Sequence, residues 1–521
     1  MAVQTIKLRA PLTGRAAFHD AAMRLHSTDQ VALAKESLAA GLVLDSPDSR
    51  LVVRQHIPVG HKVALTGRGN GEPVRRYGQI IGFATTTIEP GDHVHSHNLG
   101  VGRLQHDYAF GQNVHPVELV PDDERLTFQG YRRAGGKVGT RNYLAIISSV
   151  NCSASVSKYV ADRFRGDALE AFPAVDGVIA LTHKGGCGAH YGGIEVDLLQ
   201  RTLAGFAHHP NVAGYILIGL GCEVNQIPDL IERQGLESPI SLVIQEQGGL
   251  VETVEAGVRA IEKLLPIANA SRRESISASE LVVGLQCGGS DAWSGITANP
   301  ALGRASDLLV AQGGTVVLAE TPEVYGAEHL LTRRAISEQV GQRLVDQIRW
   351  WENYTAIHGA EIDNNPTPGN KVGGLTTIYE KSLGAIAKSG TTPMNDVIGY
   401  AERVRTRGFV HMDSPGYDPV SVTGQVASGC NLICFTTGRG SVFGCRPTPT
   451  IKVATTSELA RKMPNDMDVN AGRILEGESI DTLGEEILSL LLAVASGQPT
   501  KSELHGIGEE EFNPWILGAT L

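Results

Sequence analysis

Aromatic residues are scarce: Phe, Trp and Tyr make up 5% of the 521 residues. So few rings offer little surface for stacking nucleobases. Positive charge is not in excess either, since 45 Lys and Arg face 56 Asp and Glu for a net charge of −11. That balance excludes the basic footprint of a nucleic-acid binder. No run of about 18 apolar residues occurs, and the longest, 212–220 and 487–495, have the length of a buried strand or a core helix. No membrane span is expected. The first twenty residues, MAVQTIKLRAPLTGRAAFHD, lack the apolar core of a signal peptide. The cysteines number seven, an odd count, and no C-x-x-C pair exists. A disulfide framework and a closely spaced zinc site are therefore not expected, and the chain reads as cytoplasmic.

What is abundant is glycine, 61 residues or about 12% of the chain against about 7% in an average protein. Many glycines with few aromatics suit an α/β architecture with tight strand-to-helix turns around small polar ligands. Residues 1–116 carry turn signals every ten or so positions and read as a small all-β domain. Residues 117–129, with Pro121 and three acidic residues at 122–124, read as a linker. From there apolar runs (144–150, 178–181, 215–220, 281–286) alternate with amphipathic stretches such as 194–208 and 254–265. This alternation predicts two α/β units with mainly parallel sheets, over 130–270 and 271–497, separated by a polar break at 269–277. Residues 498–521 read as a C-terminal surface arm.

The chemistry concentrates in three groups. Cys152, Cys187, Cys222 and Cys287 each follow an apolar run or its first glycines, at the strand ends where open α/β sheets bind ligands. Thiolates there could ligate iron or zinc, hold an iron–sulfur cluster or act as nucleophiles; the alternative is that each is a small core residue. His93-Val94-His95-Ser96-His97 places alternate imidazoles on one face of a strand, a metal-binding pattern. His61 lies in the same small domain. Third come polar glycine loops: Gly139-Thr140-Arg141-Asn142, Cys287-Gly288-Gly289-Ser290-Asp291, Pro368-Gly369-Asn370-Lys371 and Thr436-Thr437-Gly438-Arg439-Gly440. Backbone N–H groups in such turns cradle oxyanions and Arg adds a bidentate clamp. Neither the phosphate-loop nor the dinucleotide fingerprint is present.

These motifs, with Gly130-Tyr131-Arg132-Arg133, Gly219-Leu220-Gly221-Cys222-Glu223 and Ser294-Gly295-Ile296-Thr297-Ala298-Asn299-Pro300, resemble the altronate/galactarate dehydratase family over nearly the whole chain. The first hundred residues resemble that family's β-clip (SAF-type) domain. Val94 to Asn98, Tyr325-Gly326-Ala327-Glu328 and Gly399-Tyr400-Ala401-Glu402-Arg403 look more like the altronate branch. The resemblance implies a hydro-lyase that converts a sugar acid, altronate-like or galactarate-like, to a 2-keto-3-deoxy acid. It implies Fe2+, with Mn2+ or an iron–sulfur cluster as alternatives. The expected metal ligands are His95 and His97 or the thiolates Cys187, Cys222 and Cys287. Arg141, Asn142, Ser290, Asn370, Lys371 and Arg439 are expected on the substrate, with His183, Lys184 and Asp291 as acid or base. A carbon–sulfur lyase acting on sulfolactate and a catalytically silent sugar-acid-binding protein are the rival readings. The partner is a small molecule, with no nucleic acid or membrane, and a homodimer is the default assembly.

Overall fold

Short strands separated by left-handed glycine turns, which bulkier residues resist, fold residues 10–100 into small, mainly antiparallel layers. The computed structural model describes residues 10–517 apart from Asp48, Gln105 and Ser238; residues 1–9 of the expected small domain and 518–521 of the expected arm lie outside it. Ala22–Met23, Val31–Ala34, Lys62–Ala64 and His93–Val94 pair antiparallel in one sheet. Pro73–Arg76, Gln79–Ala84 and Leu99–Gly100 form a second. Leu38, Leu42, Val53, Ile57 and Val63, all fully buried, form one core of this domain.

The apolar run at 144–150 becomes β1 (Tyr143–Ser148), buried at all six positions, as a strand covered on both faces must be. It pairs in parallel with β2 (Gly177–Leu181) and β3 (Val212–Gly219), and β3 with β4 (Ile240–Val243), giving the order β2-β1-β3-β4. Helices α1 (Ala154–Asp162) and α2 (Ile194–Ala207) make crossovers and, with α3 (Leu250–Asn269) after β4, cover its faces.

A larger parallel sheet follows. Its strands are β5 (Val282–Cys287), β6 (Thr315–Leu318), β7 (Met394–Ile398), β8 (Gly408–Met412), β9 (Leu432–Thr437), β10 (Thr450–Ala454) and β11 (Val469–Asn470). Their spatial order is β7-β8-β6-β5-β9-β10-β11. Helix α4 (Ala298–Ala311) follows β5, and α5 (Asp418–Ser428) leads into β9. The α/β class with a strand-rich N-terminal domain is thus as expected.

Two stretches differ from the reading of the sequence. The linker at 117–129 and the break at 269–277 each supply residues to a strand. Thr127–Arg132 pairs antiparallel with Glu274–Ser277, stitching the two α/β units together where the chain passes between them. Polar composition concealed this, because both strands are largely exposed on one face. After Gly497 the chain packs back on the protein: Glu503 pairs with buried Arg141, and Phe512 and Trp515 are buried. Among the described residues no helix is long and apolar enough to cross a membrane.

Candidate functional site

The chain leaves β5 for β6, β7 and β8 on one side, then returns to lay β9, β10 and β11 on the other. Strand order reverses between β5 and β9, the place where such sheets open a crevice beyond their carboxyl ends. The glycine loops after these two strands meet there: the Gly438 and Arg439 backbone N–H groups donate to the Gly289 carbonyl at 3.1 and 2.8 Å. The loop at 368–374 closes a third side. Asn370 Nδ2 donates to the Ser290 carbonyl (2.8 Å), and the Ala292 N–H donates to the Gly373 carbonyl (2.9 Å). The Ser290 hydroxyl is buried there with no hydrogen-bond partner, and Arg439 is exposed at the rim. Six candidate residues from the sequence (Ser290, Asp291, Asn370, Lys371, Arg439 and His95) therefore belong to one locality.

The small domain delivers the imidazoles. His61 Nδ1 and His93 Nε2 are 2.9 Å apart, His61 stacks on His95 at 4.9 Å, and His97 lies 5.4 Å from His93 by ring centroids. His95 Nε2 lies 2.9 Å from the Lys371 carbonyl and His61 Nε2 lies 3.2 Å from the Val372 carbonyl. A carbonyl only accepts, so both Nε2 atoms carry protons. In the neutral rings Nδ1 of His61 and His95 then carries a lone pair. Burial first, then the neighbouring positive groups, pushes His61 down to about 4 and His93 to about 3, and burial also lowers His95. These rings are neutral at physiological pH, the form that ligates metal.

Beneath the crevice lies a buried charge cluster that sequence reading missed. Cys287 at the end of β5 and Glu320 and Glu323 after β6 offer ligand atoms within 4.8 Å of one another. Two ammonium groups already occupy them: Lys388 Nζ is 2.8 Å from Cys287 Sγ and 3.5 Å from Glu320, and Lys381 Nζ is 2.5 Å from Glu323. Burial holds the Cys287 thiol up at about 12 even beside Lys388, and burial with the neighbouring Glu323 raises Glu320 and holds Asp418 near 7. Glu320 sits at φ 70°, a left-handed backbone rare for such a residue and typical of functional sites. A signal existed for Glu320, which directly follows an apolar strand as the cysteines do. Lys381 and Lys388 gave none, because nothing in their local sequence distinguishes a buried lysine from a solvated one.

Other expected residues lie elsewhere. Arg141 is buried with all five donors spent: Glu503 takes two (2.6 and 2.9 Å), and the carbonyls of Thr140, Val494 and Gln498 take the rest. Asn142 donates to the carbonyls of Ala174 and Ala268. Both stand at the amino end of β1, because the Gly139 loop precedes its strand instead of following it; Arg141 ties the middle domain to the last one, and Asn142 braces the middle domain internally. Asp291 is a clasp: its carboxylate accepts from the N–H groups of Trp293 and Ser294 and from the hydroxyls of Ser294 and Thr455.

The four strand-end cysteines do follow strands, but of different sheets. Cys152, Cys187 and Cys222 are exposed beyond the four-stranded sheet, whereas Cys287 is buried beyond the seven-stranded one. One shared thiolate site is therefore not built. His183 bonds the Ser148 carbonyl at 2.9 Å, and with exposed Lys184 it lines a cavity of about 270 Å³ against residues 513–517. That places the expected acid–base pair on the middle domain, away from the imidazoles.

Comparison with known proteins places the whole chain. Residues 20–102 match the altronate/galactarate dehydratase SAF domain, 130–269 the second domain of D-galactarate dehydratase/altronate hydrolase, and 278–520 the D-galactarate/altronate dehydratase C-terminal domain. The altronate dehydratase of Escherichia coli (strain K12) is 36% identical over 491 residues, covering 94% of this chain and 97% of that one. The galactarate dehydratase (L-threo-forming) of the same organism is 40% identical over 506 residues, covering 94% and 96%. The beta subunit of (2R)-sulfolactate sulfo-lyase from Chromohalobacter salexigens is 34% identical over 394 residues, 74% of this chain and 96% of that subunit. An N-terminal SAF domain seated by its histidines on the carboxyl ends of a parallel sheet, and matches spanning nearly the whole chain, make this protein a member of the altronate/galactarate dehydratase family of hydro-lyases.

Proposed function

We propose that the protein removes water from a six-carbon sugar acid, an aldonate or an aldarate, to give a 2-keto-3-deoxy acid in the crevice between the SAF domain and the β5–β9 switch point. The observation that carries this reading is the meeting of His61 and His95 with the 371–372 backbone, with His93 bonded to His61, next to the Ser290 and Arg439 loops. Lys371 and Arg439 supply positive charge for the substrate carboxylate, and the unpartnered Ser290 hydroxyl supplies a hydrogen bond to a substrate oxygen. A neutral imidazole of the cluster accepts the proton beside the carboxylate. The backbone N–H groups of the glycine loops favour the negative charge that develops there.

A divalent metal, Fe2+ in this proposal, fits the imidazole face, where burial keeps His93 and His95 unprotonated; His95 and the exposed His97 would hold it, with His93 adjacent. It fits the Cys287–Glu320–Glu323 triad poorly, since two buried ammonium groups already neutralise that set. When bound it supplies Lewis acidity toward the carboxylate and neighbouring hydroxyl. The reading carries with it a cytoplasmic homodimer, which light scattering on the purified protein tests.

The deciding experiment is anaerobic turnover by iron-loaded protein against aldonates, aldarates and sulfolactate, scoring 2-keto acid and sulfite separately. A 2-keto-3-deoxy acid from one sugar acid is the expected result. Sulfite from sulfolactate would replace this reading with carbon–sulfur cleavage, the activity in the name of the 34% identical relative. Sugar-acid binding without product from either would leave a binding protein.

A further inference from the structure

The amino ends of β5 and β6 surround a cavity of about 460 Å³, in the size range of small-molecule sites, with Val282 and Thr315 in its wall. It lies between the two α/β units, closed by the end of α2, the end of α5 and the segment 401–407. β5 spans six residues, so this cavity and the histidine crevice stand roughly 20 Å apart at opposite ends of one strand.

Its walls are charged one way. Lys137, Arg201, Arg403, Arg405 and Arg407 line it, and Glu280 is the one carboxylate among the lining residues. Glu280 is spent on Arg407 at 2.7 Å. Glu402, next to Arg403 in the chain, accepts from the Gly399 N–H at 2.8 Å. Lys137 and Arg201 donate to carbonyls, of His208 and Tyr400, which satisfies protons without cancelling charge. Burial first, and then the charge of Arg403, push Lys137 down to about 8. No Phe, Tyr or Trp is among the lining residues.

We infer that this cavity is a second binding site, for a small oxyanion carrying at least two negative charges, and that Arg403 and Arg405 grip it. Phosphate esters and polycarboxylates share that chemistry, and arginine forks fit both. The site is independent of the dehydration reading, because it uses none of the crevice residues and its test needs no turnover.

The test is calorimetric titration of the full-length protein with inorganic pyrophosphate and, separately, with citrate. The expected result is binding of at least one of them, weakened tenfold or more, about 1.4 kcal/mol, in the double variant Arg403→Ser/Arg405→Ser. Both side chains are exposed, and an unchanged circular dichroism spectrum and melting temperature would confirm that the variant is folded. Pyrophosphate binding with citrate excluded assigns phosphate chemistry, and the reverse assigns carboxylates. Binding of neither anion, binding unchanged in the double variant, or displacement of the anion by a sugar acid that occupies the crevice would each overturn the inference.

Discussion

Lys62 of the small domain donates a 2.9 Å hydrogen bond to Glu380 of the last domain, across 318 residues of chain, and both side chains are fully buried. Arg76 donates to the other Glu380 oxygen at 2.6 Å, and Thr376 adds its N–H and hydroxyl. Two cations on one carboxylate, every oxygen filled, form the anchor that seats the histidines on the crevice. Glu380→Gln is expected to leave two buried cations short of charge and to cost about 3–5 kcal/mol. The same site sets acid sensitivity. Burial alone would raise the Glu380 pKa, but Lys62 and Arg76 outweigh it and hold it near 2. The folded state then binds fewer protons than the unfolded chain, so this contribution is present above about 4.5 and is lost as pH falls toward 2. Urea unfolding at pH 7, 5 and 3 checks it: the parent should lose stability down the series more steeply than Glu380→Gln.

The seating is also a matter of backbone contact. Gly374 has φ +98°, and a Cβ there would stand 2.3 Å from the Gly60 carbonyl oxygen of the small domain. Gly374→Ala should therefore strain the loop by about 1–3 kcal/mol and also prise the domains apart, lowering turnover and speeding proteolysis between Gly102 and Thr127. Gly135→Ala is the control, since its φ of +87° carries similar strain in open space. Equal effects of the two substitutions on turnover would contradict a role for the contact.

Two arginines that look alike in sequence, each in a polar glycine loop, should behave in opposite ways. Arg141→Ala removes the partner of Glu503 and three carbonyl bonds, and is expected to cost about 3–5 kcal/mol. Its KM should be unchanged at a temperature where it remains folded. Arg439→Ala should leave the melting temperature within about a degree, since surface changes are usually within 0.5 kcal/mol, while KM for the sugar acid rises. Thermal denaturation alongside steady-state kinetics separates the two.

What the sequence made legible follows from where each signal arises. Apolar runs located β1, β2, β3 and β5 within three residues, because a strand buried on both faces must be apolar throughout. The loops at 288–291 and 438–440 were legible as glycine turns at strand ends, and the structure brings those two together. Arg141 misled because the same composition also suits a joint between domains, and only the partner, Glu503 on a distant helix, tells the two apart. The Lys62–Glu380 anchor and the Lys381–Glu323 pair left no mark at all. Each is made by residues far apart in the chain, and nothing local distinguishes a buried lysine from a solvated one.

The thiols and imidazoles give competing accounts of the metal, and the structure lets them be told apart. Cys152, Cys187 and Cys222 are exposed, whereas Cys287, Cys430, Cys434 and Cys445 are buried. In the native, metal-free protein a thiol reagent should therefore modify three cysteines quickly and the other four after denaturation. If imidazoles hold the metal, iron content by elemental analysis should survive Cys187→Ser and Cys222→Ser and fall with His95→Ala, with turnover falling alongside it. His95 donates from Nε2 to the Lys371 carbonyl, so the alanine variant also loses one domain contact. His95→Gln has an amide that can still donate, and comparing it with the alanine variant separates loss of that contact from loss of a ligand. Iron retained in both His95 variants and lost in the cysteine ones would move the metal from the crevice to the edge of the four-stranded sheet.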